Sequence, residues 1–306
     1  MSDVPPSHGV SGMERSFYLL DVFAEGQYAG NQLAVFRNAS LLREEEMRRL
    51  AQEVHFSETA FVLSDEVHDG GFDVRVFTPA EEIPFSGHAV LGAAWILQRE
   101  LIRKPIHSIR VNLGVGPVEV GFAYHYGGVD TVWVSHLAPR FLTELPPDGV
   151  AAALGLDLSD IDERWPVQEV STGLPFVMVP IRSLAAMRRA HVVPDELAVL
   201  LEQTAARALY LFTSETYNAE NDLNARMFAP HYGIAEDPAT GAGAGCLVAY
   251  TLQHVRPGAP AVDLRIEQGY EMRRPSILVA RGTRDDGGMR VTVGGRVAMV
   301  AQGQFI

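Results

Sequence analysis

The sequence has a single cysteine, Cys246, among its 306 residues. One thiol cannot form a disulfide within the chain, and it cannot build a cysteine-based zinc cluster. Epimerisation by two facing cysteines is excluded by composition for the same reason. So little cysteine fits a reducing compartment, and we expect the protein in the cytoplasm.

Basic residues are scarce as well. Lys and Arg number 25 against 38 Asp and Glu, which gives a formal net charge of −13. Nucleic acids and anionic membranes both need a basic footprint on the protein, so we expect neither as a partner. A small acidic substrate stays compatible with this charge, because backbone amides and local Arg or His side chains can hold an anion.

Long apolar runs are missing too. The longest, residues 89–97, is far shorter than a membrane span requires. Residues 1–12 are polar and rich in Pro, Gly and Ser, without the charged start and apolar stretch of a signal peptide. We therefore expect no membrane-spanning segment, and we expect residues 1–12 to form a mobile tail.

The chain does contain enough apolar material for two lobes, since 47% of its residues are hydrophobic. We predict an N-terminal lobe over residues 13–130, a C-terminal lobe over 131–290, and closing strands over 291–306 that pack on either lobe. Many short apolar runs split by Gly and Asn predict strands, and long βαβαβ alternation is absent, which disfavours a doubly wound sheet. Helical patterns cover residues 42–54, 89–101, 147–154, 183–190, 194–206 and 244–254.

Two segments of the sequence echo each other. Phe77-Thr78-Pro79 ends a strand, and after a loop Ser86-Gly87-His88-Ala89 opens an apolar helix; Phe228-Ala229-Pro230 and Thr240-Gly241-Ala242-Gly243 repeat this order. A Gly-rich turn at a helix N-terminus exposes unpaired N–H groups at the positive end of the helix dipole. Two such turns facing one cleft would clamp a carboxylate or form an oxyanion hole. The alternative is that glycine only lets each helix begin close to a sheet.

Three titratable residues stand near these turns. Glu58 opens an apolar strand, where desolvation would raise its pKa and make it a usable base near neutral pH. His88 could bind an anion or share a proton with Glu58. Asp237 precedes the second turn. The alternatives are an outward-facing glutamate, a helix-start histidine bonded to backbone, and a capping or turn aspartate. Together, at two equivalent turns, the three form a plausible acid/base constellation.

An ordered set of motifs resembles one known family, the phenazine-biosynthesis (PhzF-like) isomerases, which share the diaminopimelate-epimerase fold. The resemblance runs from about Phe17 to the C-terminus, and the Gly-His-Ala and Asp-Pro-Ala-Thr-Gly pieces are its most specific parts. Its carriers are Asp21-Val22-Phe23, Gly30-Asn31, Ser57-Glu58-Thr59-Ala60-Phe61-Val62, Phe77-Thr78-Pro79, Glu82, Pro84-Phe85-Ser86-Gly87-His88-Ala89, Thr172-Gly173-Leu174-Pro175, Glu236-Asp237-Pro238-Ala239-Thr240-Gly241, Gln268-Gly269 and Arg274-Pro275-Ser276.

The resemblance implies an α+β fold of two similar lobes, each a curved, mostly antiparallel sheet wrapped around a central helix, with the site between them. It also implies a homodimer that needs no cofactor and no metal. The best understood family activity is isomerisation of a dihydro-hydroxyanthranilate by proton transfer along a conjugated ring. The family's proton-carrying glutamate falls on Glu58, and the residues that bind and polarise the substrate fall on His88 and Asp237. The implied substrate-binding positions are Gly30, Asn31, Ser86, Gly87, Ala89, Gly173, Thr240, Gly241, Ala242 and Gly243.

The chain departs from the family pattern at three positions. Ala242 stands where the family often has a serine that helps at the site, so a hydroxyl is missing there. Gln32 replaces the proline of a common Gly-Asn-Pro, and Arg273 replaces the glycine of Gly-Arg-Pro-Ser. Backbone donors at the second turn survive the change at Ala242, so anion binding need not be lost.

The leading hypothesis is therefore an isomerase in which Glu58 removes a proton from a small anionic, cyclic substrate and returns it elsewhere on the same conjugated system. A second hypothesis is a catalytically silent binding or interaction protein that retains the cleft, and the missing hydroxyl at Ala242 supports it. Hydrolysis by Ser86 with His88 is a weaker option, because no acid partner is evident and the nucleophile-elbow pattern is absent. Ser86 and Thr240 occupy the positions of the two catalytic cysteines of epimerases with this fold, and a hydroxyl without a partner is a poor base.

Overall fold

A computed structural model describes residues 16–305, so the tail predicted over residues 1–12 lies outside the described residues. The strands in this range are β1 (Ser16–Val22), β2 (Asn31–Arg37), β3 (Glu58–Val62), β4 (Phe72–Phe77), β5 (Glu82–Ile83), β6 (Ser108–Leu113), β7 (Gly116–His125), β8 (Gly128–Ser135), β9 (Arg140–Leu145), β10 (Val167–Ser171), β11 (Pro175–Pro180), β12 (Leu209–Thr213), β13 (Leu223–Ala229), β14 (Ile234–Asp237), β15 (Ala261–Gln268), β16 (Ser276–Asp285), β17 (Gly288–Gly295) and β18 (Val297–Gln304). The helices are α1 (Glu44–Val54), α2 (Gly87–Ile96), α3 (Pro147–Ala153), α4 (Leu184–Arg189), α5 (Pro194–Leu201) and α6 (Gly241–Tyr250).

Two apolar helices are each enclosed by strands. Helix α2 packs against β1, β2, β3, β4, β6, β7, β8 and β18, whereas α6 packs against β10, β11, β15, β16 and β17. A helix that is apolar on every side is stable only when it is surrounded, and every residue from His88 to Ile96 is buried. The strand pairs are mostly antiparallel. The predicted α+β fold, with curved sheets around central helices, is confirmed.

The two lobes repeat one pairing scheme. In the first, β2 and β3 are parallel, β3 and β4 antiparallel, and β4 and β6 parallel. In the second, β11 and β12, β12 and β13, and β13 and β15 follow the same order. Both central helices end in a π-helical turn, over Leu97–Ile102 and Thr251–Val255. The internal echo in the sequence therefore corresponds to a structural repeat.

Two strand pairs join the two parts of the chain: β18 returns to pair with β1 of the first lobe, and β8 pairs with β17. Strand β9 pairs with β10 within the second lobe. The boundary predicted between residues 130 and 131 falls inside β8, which forms a hairpin with β7. The predicted closing strands do not pack as one unit. Strand β17 pairs with β16 of the second lobe, whereas β18 pairs with β1 of the first lobe. The division into lobes by residue number stays a prediction.

The structure corrects several predicted elements. The central helices begin at Gly87 and Gly241 instead of residues 89 and 244, so the Gly-rich turns form their first turns. The helix predicted over residues 194–206 ends at Leu201, because Arg207 donates to the carbonyls of Leu201, Thr204 and Ala206 and closes the helix end. Strands β5, β9 and β14 do not coincide with the short apolar runs that predict strands. They are short or carry few buried residues, so no apolar alternation marks them.

Candidate active site

Glu58 is the first residue of β3, where its backbone pairs with Leu33 of β2 and the four following residues are buried. This register carries its side chain to the N-terminus of α2, with Oε2 3.3 Å from Nδ1 of His88. Burial raises the pKa of Glu58 to about 7, and the Ser86 hydroxyl opposes that shift. Glu58 Oε2 is buried and has no hydrogen-bond partner among the described residues. A carboxylate in this state is suited to accepting a proton.

His88 lies in the first turn of α2, behind the capping residue Ser86, whose hydroxyl accepts from the Ala89 amide at 3.5 Å. Burial lowers the pKa of His88 to about 4, and the charge of Asp237 opposes this. The imidazole is therefore neutral at neutral pH, and its contact with Glu58 is not an ion pair. Its Nε2 atom is buried and unpartnered within residues 16–305. Such a nitrogen is available to hold or polarise a bound molecule.

Asp237 is the last residue of β14 and comes from the other lobe. Its Oδ1 accepts from Asn31 Nδ2 at 2.9 Å, and its Oδ2 accepts from the Thr240 hydroxyl at 2.5 Å. Burial raises the pKa of Asp237 to about 6, against the Thr240 hydrogen bond and His88, while the Glu58 charge adds to the rise. Glu58 lies 3.3 Å from His88, and the charges of both groups act on Asp237, so the three side chains lie in one buried region. The structure thus brings Glu58, His88 and Asp237 together.

The starts of the two central helices supply amide donors beside these side chains. Helices α2 and α6 contact each other. The first-turn amides of a helix have no hydrogen-bond partner within the helix, so they can bind a ligand. Two amides at these helix starts already donate to side chains of the protein. Ala89 donates to Ser86 and Thr240 donates to Gln268 Oε1. Among the described residues, the backbone amides of Gly87, His88, Gly241, Ala242 and Gly243 have no hydrogen-bond acceptor.

Three predicted binding residues have other roles in the structure. The Gly30 amide donates to the Pro275 carbonyl, and its φ of +68° is a conformation that favours glycine, so this amide is not available to a ligand. Asn31 gives its side-chain amide to Asp237 and to the Ala239 carbonyl at 3.1 Å. It therefore positions Asp237 across the lobes. The Gly173 amide donates to the Ser171 hydroxyl at 3.2 Å, and the residue has a φ of +139°, a conformation that favours glycine.

Gln268, at the end of β15, is a polar residue to which the sequence assigned no role. It is fully buried, accepts from Tyr210 at 3.1 Å and from the Thr240 amide at 3.2 Å, and donates to the Asp237 carbonyl at 2.8 Å and to the Thr240 hydroxyl at 3.1 Å. The signal was present in the Gln268-Gly269 motif. Without the partners, a glutamine at the end of an apolar strand has no evident role.

The repeat shows which polar groups belong to one lobe only. Phe77 of β4 and Phe228 of β13 occupy equivalent positions, and they pair with Thr59 and Leu209. By the same register, the position that holds Glu58 in the first lobe holds Ala208 in the second. Counting along the two Gly-rich turns, His88 corresponds to Ala242. The cleft is therefore chemically one-sided, although its scaffold is symmetrical.

The departures from the family pattern have clear structural settings. Ala242 lies half-buried in the first turn of α6. Arg273 adopts a φ of +57°, a left-handed conformation that is costly for residues other than glycine. The neighbouring Arg274 donates to Asp21 and to the carbonyls of Ala29 and Gly30. Arg274 of the second lobe therefore holds the Gly30-Asn31 turn of the first lobe in place by hydrogen bonds, despite the change at Arg273.

Ser86 and His88 do not form a hydrolytic pair. Their Oγ and Nδ1 atoms are 3.4 Å apart, but the Ser86 hydroxyl also caps α2. No acid orients His88 through Nε2, which has no partner among the described residues. Cys246 is buried inside α6, and burial raises the pKa of its thiol to about 12. Burial thus disfavours the thiolate form of Cys246, which a cysteine nucleophile requires.

The fold and the site together define a two-lobed α+β protein with a candidate acid/base cleft between like lobes. Residues 20–303 match the family described as phenazine biosynthesis-like protein (PhzC-PhzF). The chain belongs to this family of PhzF-like isomerases, as the resemblance in its motifs indicated. No helix within residues 16–305 has the length and apolar character that crossing a membrane would require.

Curated relatives match nearly the whole chain. The trans-2,3-dihydro-3-hydroxyanthranilate isomerase of Pseudomonas aeruginosa is 32% identical over 295 residues, which cover 94% of this chain and 98% of the relative. An uncharacterized isomerase of Mesorhizobium japonicum is 32% identical over 297 residues, with 95% and 98% covered. The crystal structure of a Bacillus anthracis phenazine biosynthesis protein of the PhzF family superposes with a TM-score of 0.88. It is 25% identical, and the match covers 96% of this chain and 100% of that one.

Proposed function

We propose that the protein is an isomerase that moves a proton between two carbons of a small, cyclic carboxylate, with Glu58 as the base and then the acid. The observation that carries this proposal is the buried, unpartnered Oε2 of Glu58, placed beside His88 and near Asp237. The free amides at the starts of α2 and α6 would hold the substrate carboxylate. His88 Nε2 and Asp237 would bind and polarise the remaining polar groups of the ring.

The proposed step needs no external reagent. Ionised Glu58 takes a proton from an acidified carbon, and the electron pair of the broken C–H bond enters the conjugated system. The shifted double bond then takes the same proton from Glu58 at another carbon, so substrate and product have equal composition. A pKa of about 7 serves both halves, because proton transfer is efficient in each direction when the group titrates near the working pH.

The one-sided cleft supports a single base. Stereochemical inversion by two bases needs a proton acceptor on each side of the reacting carbon, and symmetrical lobes could supply one from each. Here the equivalent of Glu58 is Ala208, and the helix-start positions hold Ser86 and Thr240 without an activating partner. A suprafacial shift by one carboxylate is the chemistry that this residue set favours.

The activity of the Pseudomonas aeruginosa relative supplies the first substrate to test, trans-2,3-dihydro-3-hydroxyanthranilate. The protein would be incubated with it in D₂O and followed by proton NMR. We expect a rearranged ring, with deuterium at the newly protonated carbon wherever the proton on Glu58 exchanges with solvent before its return. Saturable binding without isotope exchange or rearrangement would instead support the silent binding protein that the missing hydroxyl at Ala242 suggests.

We further infer that the protein acts without a cofactor, as a homodimer in the cytoplasm. A carboxylate that carries the proton itself requires no electron acceptor, and the single cysteine fits a reducing compartment. The dimer is inferred from the family resemblance. Sedimentation equilibrium of the purified chain measures it, and a mass of 33.4 kDa would show a monomer.

The proposed mechanism predicts a pH dependence with a definite sign. Glu58 must be ionised to accept the first proton, and its pKa is raised to about 7. Activity should therefore be low at pH 5, rise through pH 7 and level off above it. His88 is neutral across this range because its pKa lies near 4. Values of kcat/KM measured from pH 5 to 9 check the profile, and constant activity down to pH 5 would contradict the assignment.

Ala242→Ser should raise activity. The substitution adds a hydroxyl at a half-buried position in the first turn of α6, beside the candidate carboxylate site. One hydrogen bond to the bound molecule contributes about 0.5–1.5 kcal/mol, which corresponds to about two- to tenfold in kcat/KM. Ala242→Val, which adds bulk without a donor, is the matched control. Equal kcat/KM in the serine and valine variants would mean that this position does not touch the substrate.

A further inference from the structure

Gln268 holds both ends of the turn that carries Asp237. Its side chain is fully buried at the end of β15, and it makes four hydrogen bonds. Two of them go to the backbone on either side of Pro238-Ala239, at the Asp237 carbonyl and the Thr240 amide. The turn therefore cannot shift without breaking bonds to Gln268.

The backbone partners of Gln268 identify which side-chain atom is the oxygen Oε1 and which is the nitrogen Nε2. A backbone N–H can only donate, so the Thr240 amide must face the oxygen Oε1. A backbone carbonyl can only accept, so Asp237 must face the nitrogen Nε2. The Tyr210 hydroxyl donates to the same Oε1 and is consistent with this orientation.

This orientation determines where the Thr240 proton points. The second hydrogen of Gln268 Nε2 is directed at the Thr240 hydroxyl oxygen, 3.1 Å away, which therefore acts as an acceptor. The single hydrogen of that hydroxyl is left to be donated, and Asp237 Oδ2 lies 2.5 Å away. A proton on Oδ2 would need the Thr240 oxygen to accept it and would leave the hydroxyl hydrogen without a buried partner.

We propose that Gln268 is a positioning residue that fixes the Thr240 hydroxyl as a donor to Asp237 and keeps Asp237 as a hydrogen-bond acceptor. Gln268 affects the Asp237 carboxyl group indirectly, through its hydrogen bonds to Thr240 and to the backbone of the turn. Any effect of Gln268 on the reaction follows from this indirect contact. Its catalytic consequence rests on the proposed function, whereas its effect on Asp237 does not. The repeat agrees with a dedicated role, because the position equivalent to Gln268 in β15 is Leu113 in β6.

Titratable groups that face Asp237 come from several elements. Glu58 of β3 and His88 of α2 act on its carboxyl group from the first lobe. Tyr210 belongs to β12, and burial and then the Asp237 charge raise its pKa. Asn31 donates to Oδ1 from β2. Gln268→Leu alters none of these side chains, and removing the Thr240 hydroxyl separately distinguishes the effect of the Thr240 contact from that of a shift of the turn.

The test is the ionisation of Asp237, measured without substrate. The protein is labelled with ¹³C-aspartate, the Asp237 carboxyl resonance is assigned from its loss in Asp237→Asn, and its shift is followed from pH 4 to 8. We expect Gln268→Leu to raise the Asp237 pKa by about one unit, because protonated Asp237 can then donate to a freely rotating Thr240 hydroxyl. Gln268→Met provides a second variant of similar length if the leucine variant does not fold.

A double-mutant comparison identifies the route. In the Thr240→Val background no hydroxyl remains to be oriented, so adding Gln268→Leu should change the Asp237 pKa little further. Tyr210→Phe removes a different bond to Gln268 and should leave that pKa unchanged. An unaltered pKa in both Gln268 variants, or equal effects of Gln268→Leu with and without the Thr240 hydroxyl, would overturn the proposal.

The kinetic readout is separate. If the proposed function is correct, Gln268→Leu should lower kcat by about tenfold with a smaller change in KM. Absence of turnover in the parent protein would count against the proposed function alone, since the carboxyl titration needs no reaction.

Discussion

Glu58→Gln is expected to reduce turnover by about 10²- to 10⁴-fold, the range that a positioned general base contributes. The amide keeps the size of the side chain but cannot take up a proton at the working pH. Ligand binding should persist, because the amides at the starts of α2 and α6 and the groups of His88 and Asp237 are unchanged. The fold should persist as well, because the amide matches the carboxyl in size and can still accept a hydrogen bond from the Ser86 hydroxyl.

The measurement combines single-turnover kinetics, isotope exchange and calorimetric titration with the substrate. Glu53→Gln makes the same change at an exposed position of α1 and should leave all three unaffected. Near-parental exchange in the Glu58 variant would remove the proposed mechanism. Loss of binding together with turnover would instead assign Glu58 a role in holding the substrate.

Gly243→Ala is expected to destabilise the protein by about 1–3 kcal/mol, as overpacking of a buried site does. A Cβ at this position of α6 would lie 2.2 Å from a ring atom of Tyr210. The ring cannot move aside easily, because Tyr210 is fully buried, packs edge-on against Phe176 and donates to Gln268. The free energy of unfolding, measured by urea denaturation, checks this expectation.

Gly149→Ala is the matched control for the same substitution in a helix. Gly149 is exposed in α3, and no atom lies within 4 Å of a Cβ built there. Alanine should stabilise the protein by about 0.5–1 kcal/mol at this position, because glycine loses more backbone entropy on folding. If Gly243→Ala were as stable as the parent protein, Tyr210 would not restrict the start of α6.

The sequence determined the two apolar helices, the Gly-rich turns before them and the strand that opens at Glu58. These are local features, because an uninterrupted apolar run and a Gly-rich turn can be recognised within a segment of about ten residues. The family resemblance followed from the order of short motifs, and the α+β fold followed from that resemblance. The same local information missed β9, since a strand with one buried residue has no apolar period.

Only the tertiary structure decided which groups are free and which are already used. Gly30 and Asn31 carry the right residue types for binding, but Pro275 and Asp237, more than 200 residues away, occupy their donors. Gln268 gained its role from contacts with Tyr210, Asp237 and Thr240, all at least 28 residues distant. Hydrogen bonding and desolvation depend on neighbours that the folded chain supplies, so no local pattern can state them. The sequence therefore provided the candidate groups, and the packing of two like lobes set their pKa values and their partners.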